Sequence, residues 1–114
     1  MSALRPARRL RLFVSERERH GGRPLFEAIL LRARELGLAG GTVFRGAMGF
    51  GRFTQLHRPG LLEIAEDLPI LVEIVDEPAK IDRLLAELGA MVEHGVAVLD
   101  DVEIAFFGPT KPKA

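Results

Sequence analysis

Hydrophobic and polar residues alternate along residues 9–14, where Leu10, Leu12 and Val14 share one side and two arginines and a phenylalanine share the other. This period of two predicts a β-strand with one buried face. Three further segments, rich in aliphatic and β-branched residues and bounded by turn-forming ones, are also predicted as strands. They are residues 42–48, 68–75 and 96–107, the last with a bend expected at residues 100–101.

Apolar residues at helical spacing separate these strands at two places. The first stripe follows Pro24, a residue suited to the first turn of a helix, and Gly37 and Gly40 are expected to end it. The second stripe covers residues 81–91, with Asp76 as the expected N-cap. A turn containing histidine and glycine ends the second helix.

The predicted order βαββαβ gives a ferredoxin-like α+β sandwich, in which two helices cover one face of a four-stranded antiparallel sheet. A face that mixes apolar residues with charges of both signs suits contact with another subunit, and Arg11 is expected to pair with Glu73 or Glu103. The alternative is a solvated face with surface ion pairs. The period of two predicts the following residues on this uncovered face: Arg9, Arg11, Phe13, Val43, Arg45, Leu71, Glu73, Val75, Asp101, Glu103, Ala105 and Phe107.

The connection between the second and third predicted strands is far longer than an ordinary hairpin loop of two to five residues. It spans residues 46–66 and contains glycines, phenylalanines, arginines and a histidine, which favours a flexible segment that binds an anionic ligand or a partner. We expect a single domain over residues 1–114, with a core at about residues 8–107 and a tail at 108–114.

Composition and charge restrict the class of protein. The 114 residues include no cysteine and no apolar run long enough for a membrane helix, which favours a cytoplasmic protein without thiol chemistry. Residues 1–60 carry twelve arginines against four acidic residues, and residues 61–114 carry twelve acidic residues against four basic ones. If the two halves were separate domains, the basic first half would be interpreted as a nucleic-acid binder. If their strands interleave in one sheet, the opposite charges of the two halves largely neutralise each other. The order of elements favours interleaving.

Two segments, GRPLFEAILLRARELGLAGGTVFRGAMGFG at residues 22–51 and AEDLPILVEIVDEPAKI at residues 65–81, resemble the signatures of one protein family. It is domain of unknown function number one hundred and ninety, related in fold to PII signalling proteins and to the CutA copper-tolerance proteins. The resemblance implies a homotrimer whose long loop corresponds to the T-loop of PII proteins. It also implies that adenine nucleotides bind in clefts between subunits, near the base of that loop and the turn after the second helix.

The chain departs from the PII pattern at two points. The turn GAMVEHGVAV at residues 89–98 lacks the lysine of the PII phosphate loop, which predicts weaker nucleotide binding than in a site with that loop complete. The chain contains no tyrosine, so the tyrosine modification of some PII proteins is excluded.

The candidate ligand site combines glycines, whose backbone N–H groups can form an anion-binding nest, with arginines, which donate in pairs to phosphate. Simple loop flexibility is the alternative role for the glycines. The three histidines of the chain lack the spacing of metal ligands, so we assign no metal site. The sequence contains no catalytic constellation, so we assign no catalytic residue and expect no enzymatic activity. The candidate residues are Arg45, Gly46, Gly49, Gly51, Arg52, His57, Arg58, His94 and Gly95.

Three functions remain open on these grounds. The leading hypothesis is a homotrimeric PII-like signalling or regulatory protein that binds a small anionic effector, with an adenine nucleotide as the first candidate. Its loop is expected to contact a membrane transporter or an enzyme. The alternatives are a CutA-like metal-binding or structural trimer and, with less support, an RNA- or DNA-binding protein that uses the arginine-rich first half.

Overall fold

A computed structural model describes residues 3–52 and 68–109 of the chain. The predicted residues His57 and Arg58, most of the predicted loop and the end of the predicted tail lie outside them, so the loop and the domain boundaries remain predictions. The elements of the described residues are β1 Arg5–Ser15, β2 Arg19–His20, β3 Arg23–Pro24, α1 Leu25–Glu35, β4 Thr42–Arg45, β5 Pro69–Asp76, α2 Pro78–Met91 and β6 Val96–Ile104.

Four of these strands form one antiparallel sheet with the order β4-β5-β1-β6. β1 lies inside the sheet and pairs with β5 on one side and β6 on the other, while β4 and β6 are the two edge strands. Two helices connect these strands, so the predicted ferredoxin-like α+β sandwich is confirmed. β2 and β3 form a separate small hairpin.

The core lies between the sheet and the two helices. Leu10, Val14, Ile70 and Ile74 from the inner strands are 0 to 1% exposed and pack in one cluster with apolar residues of both helices. Fully burying each such side chain contributes about 1.5 to 3 kcal/mol, so this cluster is the main source of stability. Neither helix of the described residues is long and apolar enough to cross a membrane.

A charged contact joins the two helices on their outer side. Arg32 of α1 donates two hydrogen bonds to the carboxylate of Glu87 on α2, at 2.6 and 3.0 Å. These bonds hold the pKa of Glu87 below its usual value, against the opposing effect of desolvation. The contact therefore links the helices most strongly when the Glu87 carboxylate is ionised.

The ends of the helices differ in detail from the prediction. α1 begins at Leu25, directly after Pro24, and ends before Gly37, whose φ of +81° suits glycine, so Gly40 is not needed to end it. The N-cap of α2 is Glu77 and not Asp76. The Asp76 carboxylate instead accepts a hydrogen bond from the N–H of Glu77 at 2.7 Å and one from the N–H of Ala39 at 2.8 Å.

The β2–β3 hairpin lies in the polar, glycine-containing segment between β1 and α1. Its turn uses Gly21 and Gly22, with φ of +61° and +80°, and two consecutive positive φ angles are typical of a tight hairpin turn. Strands of two residues leave no alternation for a pattern to detect, which explains why the sequence did not predict them.

The sequence predicts the residues of the uncovered face correctly for the inner strands β1 and β5 and wrongly for the edge strands β4 and β6. In β4, Val43 pairs with Val72 and packs against the core, so Thr42 and Phe44 lie on the uncovered face instead. In β6, Asp101 and Glu103 lie on the helix-covered side, because their partners in β1 are even-numbered residues of that side. The prediction is also wrong for Arg45, which pairs with Ile70, and for Ala105 and Phe107, which follow the end of β6.

Both errors have one physical cause. β4 and β6 each carry apolar residues at odd and even positions, so their sequences fit either orientation, and a shift of one residue exchanges the two faces. By the observed register, the residues of the uncovered face are Arg5, Ala7, Arg9, Arg11, Phe13, Thr42, Phe44, Leu71, Glu73, Val75, Val96, Val98, Asp100, Val102 and Ile104. We call this the open face.

Ion pairs between the basic first half and the acidic second half cross the sheet. On the open face Arg11 pairs with Glu73 at 3.0 Å, as predicted, and Arg9 donates to Asp100 at 2.6 and 3.0 Å. The hydrogen bond from Arg9 holds the pKa of Asp100 below its usual value, against desolvation. The predicted interleaving of the two charged halves is confirmed.

We predict that replacing Asp76 with asparagine destabilises the fold by about 1 to 3 kcal/mol. Asp76 is 4% exposed, and each of its two carboxylate oxygens accepts a backbone hydrogen bond. Asparagine replaces one of these oxygens with an NH2 group, which would face a backbone N–H and leave it without an acceptor. Urea unfolding followed by circular dichroism, at one protein concentration, measures the change.

The matched control is Asp101→Asn, because the Asp101 side chain is 86% exposed. This control should change the free energy of unfolding by no more than about 0.5 kcal/mol. Equal effects of the two substitutions would show that the two backbone hydrogen bonds accepted by Asp76 do not stabilise the fold.

Candidate functional site

The predicted site residues of the described chain lie at one end of the sheet. The register pairs Arg45 of β4 with Ile70, Ser15 of β1 with Pro69, and Phe13 with Val96. The end of β4, the start of β5, the end of β1 and the start of β6 therefore meet at this end. The predicted base of the loop and the turn between α2 and β6 are both located there.

The half of the site on β4 is formed by Arg45 and the glycines that follow it. The Arg45 guanidinium forms an ion pair with the carboxylate of Glu16, and the Arg45 side chain remains 54% exposed. The N–H of Gly46 donates to the carbonyl of Pro69 at 2.8 Å and extends the pairing of β4 with β5 by one residue. Arg45 is thus a partly neutralised but accessible cation.

Two of the glycines here, Gly46 and Gly49, pack closely against Pro69. A Cβ at Gly46 would lie 2.6 Å from the Pro69 ring, and one at Gly49 would lie 3.0 Å from it. Gly46, Gly49 and Gly51 are not among the described glycines with positive φ. Beyond them, Arg52 is exposed and is the last described residue before the gap.

The half of the site on β6 is the turn Glu93, His94 and Gly95. The backbone N–H of Glu93 donates to the carboxylate of Glu18 at 2.9 Å, and His94 is exposed. Gly95 fits closely against β1, since a Cβ there would lie 3.0 Å from the carbonyl oxygen of Phe13. This glycine therefore fixes the turn, with its backbone N–H groups, at the end of the sheet.

The two halves are on opposite edges of the sheet. Three strand spacings separate β4 from β6, and at about 4.8 Å per spacing this amounts to about 14 Å. A small anion held by Arg45 therefore does not reach the turn at His94 of the same chain. The glycines and arginines of β4 and the α2–β6 turn share an end of the sheet without forming one cleft in a single chain.

Sequence reasoning missed the two acidic residues of this region. Glu16 binds Arg45, and Glu18, two residues later, accepts the hydrogen bond from Glu93. Both follow β1 directly in a run of alternating charges, SERER, which carries no signal for either contact. Only the topology, which brings the end of β1 between β5 and β6, indicates the roles of these carboxylates.

Possible metal ligands are dispersed. Within residues 3–52 and 68–109, no three side chains from histidine, aspartate and glutamate are grouped so that they could hold a metal ion. His20 is exposed on the small hairpin and His94 on the α2–β6 turn, while His57 lies outside the described residues.

The architecture is that of PII-like proteins. The chain superposes with a TM-score of 0.63 on CPII, a nitrogen regulatory PII-like protein from Thiomonas intermedia solved with ADP, AMP and bicarbonate. The two sequences are 21% identical, and the match covers 91% of this chain and 92% of CPII. Identity at this level shows a common fold, which is a PII-like ferredoxin sandwich.

The chain belongs to the family described as Uncharacterized ACR, domain of unknown function number one hundred and ninety, which it matches over residues 7–104. The UPF0166 protein of Aquifex aeolicus is 40% identical over 97 residues, which make up 85% of this chain and 91% of that protein. The UPF0166 protein of Methanocaldococcus jannaschii is 23% identical over 99 residues, covering 86% and 91%. The family resemblance stated from the sequence is confirmed.

We predict that Gly46→Ala destabilises the protein by about 1 to 3 kcal/mol, because its methyl group would overlap the Pro69 ring and crowd the Pro69 carbonyl at 3.2 Å. Thermal unfolding of the variant beside the unsubstituted protein measures the loss.

Gly40→Ala is the matched control, since a Cβ at Gly40 meets no atom within 4 Å. This control should be neutral or stabilise slightly, because alanine restricts the unfolded chain. A neutral Gly46→Ala would mean that Gly46 is not required for close packing at the base of the loop.

Proposed function

We propose that the protein is a homotrimeric, non-enzymatic PII-like regulatory protein that binds a small anionic effector between subunits, with an adenine nucleotide as the first candidate. The observation that carries this proposal is the separation of the two half-sites. Arg45 lies on the β4 edge and the Glu93–His94 turn on the β6 edge of the same sheet. These groups meet only if the β4 edge of one copy approaches the β6 edge of another.

An assembly of this kind is heterologous, because each copy offers two different edges, and it forms a ring when the rotation between copies closes, as it does in the proposed trimer. Every interface of the ring then contains one complete set of donors: a guanidinium from one subunit and backbone N–H groups with a histidine from the next. Such groups bind phosphate and carboxylate. CPII, which shares the fold, has been solved with ADP, AMP and bicarbonate, and these ligands are anions of that class.

The open face supports the oligomeric part of the proposal. Phe44 is 49% exposed, Val98 44% and Val96 36%, and they adjoin the half-buried Leu71 and Phe13. A long edge strand with exposed apolar residues is an aggregation risk unless another chain covers it. Burial of this surface by further copies removes that risk.

The segment after β4 supports a role in partner binding. Met48 is 58% exposed and Phe50 72% exposed, next to the anion-binding half-site on β4. Apolar side chains beside a ligand site suit a contact that responds to the ligand, and we propose a transporter or an enzyme as the partner. Loss of partner binding on joint replacement of Met48 and Phe50 by serine, with ligand binding retained, tests this assignment.

We predict that Leu71→Asp dissociates the trimer into folded or partly unfolded monomers. Leu71 lies on the open face of an inner strand, and burying an unpaired carboxylate in an interface is strongly unfavourable. Light scattering should give a trimeric mass for the unsubstituted protein and a smaller mass for the variant.

Leu31→Asp is the control, because Leu31 is 38% exposed on the outer side of α1. It makes the same chemical change away from the open face and should leave the mass unchanged. A monomeric unsubstituted protein, or a trimeric Leu71→Asp variant, would contradict the proposed assembly.

We predict that Arg45→Ala weakens ADP binding about ten- to a hundredfold by calorimetry, since a charge-assisted hydrogen bond contributes roughly 1.5 to 3 kcal/mol. His94→Ala should also weaken it. Co-expression of the two variant chains should restore part of the binding, because each mixed trimer contains one interface with both residues intact.

Arg83→Ala, an exposed substitution on α2, is the control and should leave ADP affinity unchanged. If the mixed trimers bind no better than either variant alone, the two residues do not form a shared site. If the unsubstituted protein binds neither ADP nor AMP, the nucleotide part of the proposal is wrong.

A further inference from the structure

Two glutamates of one short segment occupy the two half-sites. The Glu16 carboxylate is paired with the guanidinium of Arg45, and the Glu18 carboxylate accepts the backbone N–H of Glu93. Glu16 and Glu18 are two residues apart at the end of β1, the strand that separates the two halves, and they reach in opposite directions. Each half-site therefore already holds an anion that belongs to the chain.

The segment that carries these carboxylates is fixed at both ends. The N–H of Glu16 donates to the carbonyl of Leu68 at 3.0 Å, and the carbonyl of Glu18 accepts the N–H of Leu25 at 2.8 Å. The backbone thus stays in place when a carboxylate leaves its donor, and only the side chain has to turn. Release of either glutamate is therefore a local change of the side chain.

Resting on the proposed function, we infer that Glu16 and Glu18 are built-in competitors of the anionic ligand. An incoming phosphate takes the place of Glu16 at Arg45 and of Glu18 at the N–H of Glu93. The apparent affinity is lowered by the fraction of sites that a glutamate occupies. Neutral ligands do not meet this competition, because they gain nothing from the donors that the carboxylates hold.

The competition also selects among anions. A ligand with a single charge replaces one carboxylate with an equivalent group and gains little by the exchange. A diphosphate carries several oxygens and more charge, so it can satisfy the donors of both halves across a subunit interface. The glutamates therefore favour a nucleoside diphosphate or a similar polyanion over a simple carboxylate.

The test is calorimetric titration of the full-length protein with ADP, with adenosine as the uncharged probe. Glu16→Gln and Glu18→Gln should each tighten ADP binding about two- to fivefold, the range expected from removing one exposed ion pair or its equivalent. The double variant should tighten ADP binding at least as much as either single variant, because it removes both carboxylates that hold the donors. Adenosine affinity should not change in any of them.

Glu103→Gln is the matched control. It removes the same charge from β6 near the opposite end of the sheet, next to the pairing of Arg5 with Ile104, and should leave ADP affinity unchanged. Amide hydrogen exchange gives an independent readout, because the N–H of Glu93 should exchange faster in Glu18→Gln than in the unsubstituted protein without ligand.

The outcomes separate this inference from the proposed function. Tighter ADP binding in both variants, with Glu103→Gln and adenosine unaffected, supports the competition. If the unsubstituted protein binds ADP and the two variants bind it equally or more weakly, the competition is wrong and the nucleotide site stands. If neither the unsubstituted protein nor any variant binds ADP, the nucleotide site itself is wrong, and the competition for ADP is wrong with it.

Discussion

The pairing of β1 with neighbours on both sides is the constraint on which the rest of the molecule depends. Because β5 and β6 occupy the two sides of β1, β4 has no place beside β1; it pairs with the outer side of β5, and β4 and β6 become the edges. The strict alternation within β1 then assigns Leu10 and Val14 to the core and Arg9 and Arg11 to the open face. One central strand thus determines the core, the charged face and the distance between the half-sites.

The inner strands were predictable because each has one clearly apolar side. β1 alternates over its inner part, and Glu73 fixes the orientation of β5 in the middle of an otherwise apolar strand. The faces of the edge strands were not predictable, since Val43 and Phe44 of β4 are adjacent apolar residues and the first four residues of β6 all tolerate burial. Without a polar marker at alternate positions, the face of such a strand follows from its hydrogen-bonded neighbour.

The candidate site was predictable in its location and not in its local contacts. The resemblance to PII proteins predicts ligand contacts at the base of the loop and at the turn after α2, and both lie at the same end of the sheet. The role of Gly46 could not be derived, because it depends on Pro69, a residue distant in sequence. The contacts of Glu16 and Glu18 are likewise tertiary, with partners 29 and 75 residues away along the chain.

The arrangement of charges is compatible with the proposed anion site in a protein without net charge. Arg9 and Arg11 form ion pairs with Asp100 and Glu73 on the open face, and Arg32 forms one with Glu87 between the helices. Arg45 differs from these arginines, because its side chain is 54% exposed at a sheet edge and its partner Glu16 is the first residue after β1. Surface ion pairs contribute only about 0 to 1 kcal/mol, so replacement of Glu16 at Arg45 by a multiply charged ligand would change the stability of the fold little. The proposed anion site therefore lies at a strand end where the cation stays accessible, while the fold depends mainly on the apolar core.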